Sequence, residues 1–284
     1  MSSLTLPARR RGPRGGTIVK HLILGAVAVV IAFPFYWMLT TAFKSFFEAT
    51  QFPPTFFPTT LHPENFAQAW SAAPWGRYFL NTVIIAAAVT VGDVATAVLA
   101  AYAFARMRFR GKQLIFMLFL ATLMIPSEAT LIPNFVLVTK YLRWSNTLHV
   151  QIVPFLASAF SIFLLRQHFL SIPNELADAA KIDGAGHLRF LRSVVLPLSV
   201  PVLVTVALIQ GIGVWDSFLW PLLVTSNDTV RPIQVGMAQF RTEFGAQYHL
   251  EMAAATFVIA PIVVVFLIAQ RHLIQGVART GIRG

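Results

Sequence analysis

The sequence has no cysteine and few charged residues for its length. The lack of cysteine excludes disulfides, thiolate catalysis and cysteine metal ligands. Charged residues make up 12% of the 284 residues and apolar residues 56%, and the mean hydropathy is +0.68. Since soluble domains carry about 25% charged residues, this composition indicates an integral membrane protein in a lipid bilayer.

Acidic residues are half as frequent as basic ones, with 11 Asp and Glu against 22 Lys and Arg, which gives a net charge of +11. Such an excess sometimes indicates nucleic-acid binding. Here, however, the basic residues form short clusters beside long apolar runs, which is typical of the cytoplasmic ends of membrane helices. The pattern therefore favours a topological role for the charge and predicts no nucleic-acid partner.

Sequence motifs of catalysis are also missing. The chain has no glycine-rich phosphate loop, no His-Glu-x-x-His pair and no Gly-x-Ser-x-Gly elbow. We therefore expect no catalytic residue, no metal site and no cofactor in this chain, and no hydrolysis of ATP by the chain alone.

Long apolar runs predict an all-α, polytopic membrane protein with six transmembrane helices. The runs cover 22–43, 78–105, a third span from Gln113, 150–165, 194–223 and 252–270. Pro126 and Pro133 fall in the third run, so we expect a kinked or broken end there. The segment from Lys44 to Arg77 is rich in proline and phenylalanine, which predicts an extended loop near the membrane surface.

The Lys and Arg residues predict the orientation of the chain. The N-tail has five, the 106–112 connection four, the 166–192 connection four and the C-terminal segment from Arg271 onward three, which makes sixteen against six in the other connections. Because cytoplasmic loops carry the excess, we expect both termini inside the cell. The chain then divides into a cytoplasmic N-tail at 1–20, a transmembrane domain at 21–274 and a cytoplasmic C-tail at 275–284.

A polar stretch from Ser171 to Pro201 interrupts the apolar runs. Ser171 suits a helix N-cap, and the carboxylate of Glu175 suits the positive end of a helix. Gly184 can adopt the left-handed conformation that ends helices, so a helix is predicted over 173–183. A second helix follows and enters the fifth span near Pro197. By local pattern alone, this stretch is an ordinary connection between two membrane helices.

The longer spacing resembles the conserved cytoplasmic loop of permease subunits of ABC importers, specifically the carbohydrate branch. That loop runs Glu-Ala-Ala, three residues, Gly, nine residues, Ile-x-Leu-Pro, and Asp178 and Val194 replace its Glu and Ile here. The resemblance implies a helix that couples to ATPase subunits. The residues that it assigns to coupling are Glu175, Asp178, Ala179, Ala180, Asp183, Gly184, Ala185, Leu196 and Pro197.

The resemblance also implies the partners of the chain. These are a second permease subunit, two ATPase subunits that bind ATP and Mg, and an extracytoplasmic solute-binding protein that delivers a carbohydrate. The location implied is a bacterial or archaeal cell membrane, and the C-tail is expected to contact the ATPases. A glycerol-phosphate importer is an alternative. An ion-coupled transporter that uses Asp93 or Glu128 is a further one, as is a membrane scaffold without transport.

Four polar or aromatic residues are candidates for the translocation path, namely Asn81, Gln210, Trp215 and Asp216. Amides, a carboxylate and an indole suit a solute rich in hydroxyl groups. The other interpretation is structural, in which Asn81 and Gln210 bond to neighbouring helices, Asp93 pairs inside the bundle and the tryptophans anchor at the membrane interface.

Overall fold

The computed structural model describes residues 15–245 and 247–280, and every regular element within them is helical. The all-α prediction is confirmed. The helices are α1 (Gly15–Ala42), α2 (Phe46–Thr50), α3 (Glu64–Ser71), α4 (Trp75–Arg106), α5 (Lys112–Thr122), α6 (Ser127–Val136), α7 (His149–Ile152), α8 (Ala159–Ser171), α9 (Asn174–Ile182), α10 (His187–Phe190), α11 (Leu196–Trp215), α12 (Leu219–Val224), α13 (Ile233–Phe244) and α14 (Tyr248–Thr280). Wider π turns at Leu137–Tyr141 and Leu191–Val195 continue α6 and α10, and a 3-10 turn at Val153–Phe155 continues α7.

Five stretches in the described residues are long and apolar enough to cross a membrane: Thr17–Ala42, Trp75–Arg106, His149–Ser171, His187–Trp215 and Tyr248–Ile268. A sixth span arises when Lys112–Thr122 and Ser127–Tyr141 count as one crossing, although they are bent by 92°. The bend follows directly from Pro126, which precedes α6 and disfavours helical conformation in the residue before it. The expected break of the third span is therefore present.

The fifth span has different limits from those predicted over 194–223. Its helix already begins at His187 and ends at Trp215. Pro197 has no N–H to donate, and its ring crowds the preceding turn, so the ladder widens and the N–H of Leu196 bonds to the carbonyl of Leu191. At the other end, Pro221 cannot donate to the turn before it, and α12 starts as a separate short helix.

The chain divides into two compact units, one of Met1–Ala69 with Gly245–Thr256 and the other of Trp70–Phe244 with Phe257–Gly284. In the second unit, α4 packs along α8 and α11. Their core contains the small Ala97 and Ala101 together with Leu165, Phe169 and Val195, all fully or nearly fully buried. Small residues on α4 let the neighbouring backbones approach closely, so these three helices form the frame of the unit.

In the first unit, the segment after α1 is folded rather than extended. Lys44 is buried, donates to the carbonyl of Thr55 at 2.5 Å and lies 4.7 Å from the ring centre of Trp37. Burial lowers the pKa of Lys44 from its usual value. The carboxylate of Glu48 accepts hydrogen bonds from Thr55 and Thr59. The prediction of an extended loop is wrong, because the buried side chains of Lys44 and Glu48 form hydrogen bonds with residues 55 and 59 of the same segment.

Candidate functional site

The helix expected from the polar stretch is α9, Asn174–Ile182. Its bounds lie within one residue of the predicted 173–183. The predicted cap is wrong, however, because Ser171 belongs to α8 and its Oγ donates to the carbonyl of His168 at 2.7 Å. Pro173 occupies the N-cap position without a side-chain hydrogen bond, and Glu175 lies in the first turn.

Gly184 ends α9 in a left-handed conformation, with φ of +73°. Its N–H donates to the carbonyl of Lys181 at 3.0 Å, and the N–H of Ala185 donates to the carbonyl of Ala180 at 2.8 Å. These two bonds define a Schellman motif, which requires a residue with positive φ at this position. The sequence pattern therefore predicted both the end of the helix and its conformation.

One side of α9 packs on the core and the other is free. Ala177 and Ala180 contact the α4–α8–α11 core, whereas Glu175, Asp178, Ala179 and Asp183 are exposed. Asp178 accepts from Lys181 at 3.2 Å in a surface pair. On the same helix Ile182 is 87% exposed. The free face thus combines carboxylates, a small residue and an unprotected apolar side chain.

Leu196 and Pro197 lie apart from that face. They follow the π turn and form the start of α11, where Leu196 packs against the core and Pro197 is exposed. Of the residues assigned to coupling, the structure groups Glu175 to Ala185 in one helix and its turn. Leu196 and Pro197 belong to the spanning helix that follows.

Two residues of α4 that the sequence analysis did not select hold the segment around α9. Arg106 donates to Asn174 Oδ1 at 2.6 Å, to the carbonyl of Phe169 at 2.7 Å and to the carbonyl of Ile172. The Tyr102 hydroxyl lies 3.1 Å from His187 Nδ1. Since Tyr102 and Arg106 are four residues apart, they share one face of α4. They bind the segments on both sides of α9, which fixes the helix to α4.

Asn81 has a structural role. Its Nδ2 donates to the carbonyls of Thr229 and Arg231, each at 3.0 Å, and the side chain is buried. The Tyr78 hydroxyl, one turn earlier on α4, donates to Asp228 Oδ1 at 2.7 Å. These bonds attach the α12–α13 connection to α4. Asn81 therefore bonds to a connection and not, as the structural interpretation expected, to a neighbouring helix.

The remaining path candidates are separated. Gln210 lines an open-sided cavity of about 130 Å³ in the second unit. Trp215 and Asp216 do not line it: the Trp215 ring lies 6.2 Å from that of Phe79, and Asp216 accepts from Gln234 at 3.5 Å. Of the four candidates, the structure places only Gln210 at the cavity.

Comparison with known proteins identifies the family. Residues 93–279 match the family described as the inner membrane component of binding-protein-dependent transport systems. The chain belongs to this family. It is therefore a multi-pass membrane permease of a transport system and not an enzyme. Residues 1–14 of the N-tail and residues 281–284 of the C-tail lie outside the described residues. The contact of the C-tail with ATPase subunits therefore stays a prediction.

Relatives of this permease cover nearly its whole length. A permease protein of an sn-glycerol-3-phosphate transport system, UgpE of Yersinia pestis, is 34% identical and covers 93% of this chain and 96% of the relative. A permease protein of an arabinooligosaccharides transport system, AraQ of Halalkalibacterium halodurans, is 33% identical and covers 91% and 93%. A chain from the crystal structure of a bacterial ABC transporter involved in the import of alginate superposes with a TM-score of 0.81 at 22% identity, covering 95% of this chain and 99% of that chain.

The two carboxylates considered for ion coupling differ in their surroundings in this permease. Asp93 is fully buried between α4 and α8, where Ser161 Oγ donates to its Oδ2 at 2.6 Å. Glu128 is exposed and accepts from Ser127 at 3.0 Å. Among the described residues, no three His, Asp or Glu side chains are grouped to hold a metal ion. Asp93 thus bonds to Ser161 through one oxygen, while its Oδ1 is buried without a partner among the described residues. Neither carboxylate lines the cavity.

Proposed function

We propose that this chain is the membrane-spanning permease subunit of an ATP-driven ABC importer for a carbohydrate that an external binding protein delivers. The observation that carries the proposal is α9, an exposed helix with a left-handed glycine end in a member of the transport family. The named solutes of the relatives, arabinooligosaccharides and sn-glycerol 3-phosphate, support a small hydroxylated solute.

The ATPase partners are inferred from the lack of an ATP-binding motif in this chain. Without a phosphate loop in the sequence, ATP and Mg bind to two separate ATPase subunits. A second permease completes the membrane part, and the assembly lies in a bacterial or archaeal cell membrane. The sixteen-to-six distribution of Lys and Arg supports a cytoplasmic position for both termini and for α9.

Coupling through α9 is mechanical. Closure of the ATPase subunits on nucleotide moves the docked α9, and Arg106 and Tyr102 transmit the displacement to α4. The 32 residues of α4 form a rod of about 48 Å. Its other end holds the connection around residues 228–231 through Tyr78 and Asn81. A movement of α9 therefore reaches the opposite side of the membrane along one helix.

Uptake into proteoliposomes tests the proposal. The chain is reconstituted with its second permease and ATPase subunits, and radiolabelled solute is delivered by the binding protein. The proposal expects uptake that requires ATP inside the vesicle and that persists when ionophores dissipate ion gradients. Uptake that is independent of ATP and abolished by ionophores would instead support an ion-coupled transporter.

A further inference from the structure

The cavity beside Gln210 lies among α4, α7, α11 and α12. Its lining includes two glutamines, Gln151 and Gln210, the hydroxyls of Thr82 and Ser217, and the rings of Phe155 and Trp220. All of these residues belong to this chain. A cavity of about 130 Å³ is close to the roughly 150 Å³ of an engineered cavity that binds benzene, so its size suits one six-membered ring.

The polar groups of the lining have unused hydrogen-bonding capacity. The side chain of Gln151 is 2% exposed, and its Nε2 donates to the carbonyls of Val230 and Thr147, but its Oε1 has no partner. In the part of the chain that the structure describes, the amide of Gln210 and the hydroxyl of Ser217 are also without a partner. Buried polar groups are normally paired, so the buried Gln151 Oε1 indicates a ligand that donates a hydrogen bond. Gln210 and Ser217 are only half-buried, and their side chains can donate or accept a further bond.

Two aromatic side chains, Phe155 and Trp220, lie on one side of the lining. Trp220 is 8% exposed, and its Nε1 donates to the carbonyl of Val150 at 3.0 Å. The ring of Phe155 meets it edge-on, at 6.2 Å between centroids and 78° between planes. Because burial and this hydrogen bond hold Trp220 in place, its ring offers a preformed apolar surface to the C–H face of a ligand ring.

The charge of the lining residues restricts the class of ligand that can bind in the cavity. Within the described chain, no Lys, Arg, Asp or Glu lines the cavity. The neighbouring Arg231 pairs with Asp228 and is not part of the lining. A phosphate or carboxylate in this cavity would lose its hydration without gaining a cation, which is unfavourable.

We propose that this cavity is a subsite for one neutral sugar ring of the transported solute, with Gln151, Gln210 and Ser217 as hydrogen-bonding groups and Trp220 as the stacking surface. The inference rests on the proposed import of a carbohydrate and makes it more specific. It assigns direct solute contact to this subunit, and it favours a neutral saccharide over a glycerol phosphate or an acidic sugar.

Cysteine protection in the assembled transporter tests the subsite. Ser217→Cys introduces the single thiol of this chain at the cavity, and its rate of modification by a small methanethiosulfonate reagent is measured by mass spectrometry. The probes are D-glucose, L-arabinose, maltose, sucrose and sn-glycerol 3-phosphate. We expect at least one neutral sugar to slow modification about fivefold when present at about four times its Kd. The phosphate is expected to leave the rate unchanged.

Three further variants separate specific protection from an indirect effect. A Cβ on Gly213, which lines the cavity, would meet nothing within 4 Å, so Gly213→Val fills space without a clash. It should remove the protection. Gly76→Val, also helical and also with open space, is the matched control and should retain it. Gln210→Leu should raise the Kd that the protection yields about fivefold to tenfold, the effect of about one lost hydrogen bond.

Three results would overturn the subsite: no protection by any neutral sugar, equal protection by sn-glycerol 3-phosphate, or unchanged protection in Gly213→Val. ATP-driven uptake is measured on the same preparation. Loss of protection with uptake intact contradicts the subsite alone, whereas failure of the ATPase subunits to copurify contradicts the proposed function.

Discussion

Replacement of Gly184 by valine isolates the conformation of the turn after α9. Gly184 has a φ of +73°, and a Cβ built there meets nothing within 4 Å. The cost of Gly184→Val is therefore backbone strain and not a clash. A left-handed L-residue costs about 1 to 2 kcal/mol, and a β-branched one lies toward the upper end. Since folded domains are stable by about 5 to 15 kcal/mol, the variant should still fold.

The strain acts on α9 itself. Relaxing φ to a negative value breaks the bonds from Gly184 to Lys181 and from Ala185 to Ala180, which set the end of the helix. A displaced helix end should fit the proposed ATPase partner less well. A loss of about 1.4 kcal/mol in that contact corresponds to a tenfold weaker interaction. We therefore expect Gly184→Val to reach the membrane in normal amount but to lose solute-stimulated ATP hydrolysis.

Gly186→Val is the matched control. Gly186 lies two residues later and also has open space around its Cβ, but its φ is −72°, which any residue adopts. The assay compares membrane content, copurified ATPase and solute-stimulated hydrolysis for both variants in proteoliposomes. Normal coupling in a well-expressed Gly184→Val variant, or equal loss in both, would refute the reasoning.

Three other predictions concern the hydrogen bonds that Arg106 makes to the segment around α9, the surface pair of Asp178 and Lys181, and the topology. Arg106→Gln removes three hydrogen bonds and should reduce the amount of solute transported per ATP several-fold. Arg108 is exposed and has no hydrogen bond among the described residues, so Arg108→Gln should not change this ratio. Equal transport per ATP in the two variants would contradict the role of Arg106. Asp178→Ala breaks an exposed pair worth well under 1 kcal/mol, so stimulated hydrolysis should fall only partly, and its complete loss would point to direct contact with the ATPase. Cysteines placed at residues 3 and 226 should react with an impermeant reagent from opposite sides of the membrane, and labelling of both in intact cells would refute the topology.

Local features were predictable from the sequence because their causes lie within a few residues. The bounds of α9 and the conformation of Gly184 depend on one turn of chain. The break near Pro126 is equally local. Proline was harder to interpret at Pro197, since a helix can widen into a π turn instead of ending.

Long-range contacts were not predictable. Arg106 is 68 residues from Asn174, so no local sequence pattern indicates that it binds the segment around α9. The sequence showed only a basic residue at the end of a span. Asn81 was a candidate for solute contact, but its side chain donates hydrogen bonds to carbonyls about 150 residues away. Gln151 was not selected because an isolated glutamine at the edge of an apolar run has no recognisable pattern, and its environment depends on the packing of several helices.

The central claim, that α9 docks on an ATPase subunit, is tested most directly by crosslinking from its free face. In this cysteine-free chain, Ile182→Cys carries a photoreactive crosslinker at an 87% exposed position, and Leu99→Cys on α4, 60% exposed within a span, is the control. We predict that Ile182→Cys crosslinks to a protein whose peptides contain a glycine-rich phosphate loop, G-x-x-x-x-G-K-[ST], and that Leu99→Cys does not. An assembled, transport-competent importer in which Ile182→Cys captures no such ATPase, or in which both positions capture it equally, would contradict the account.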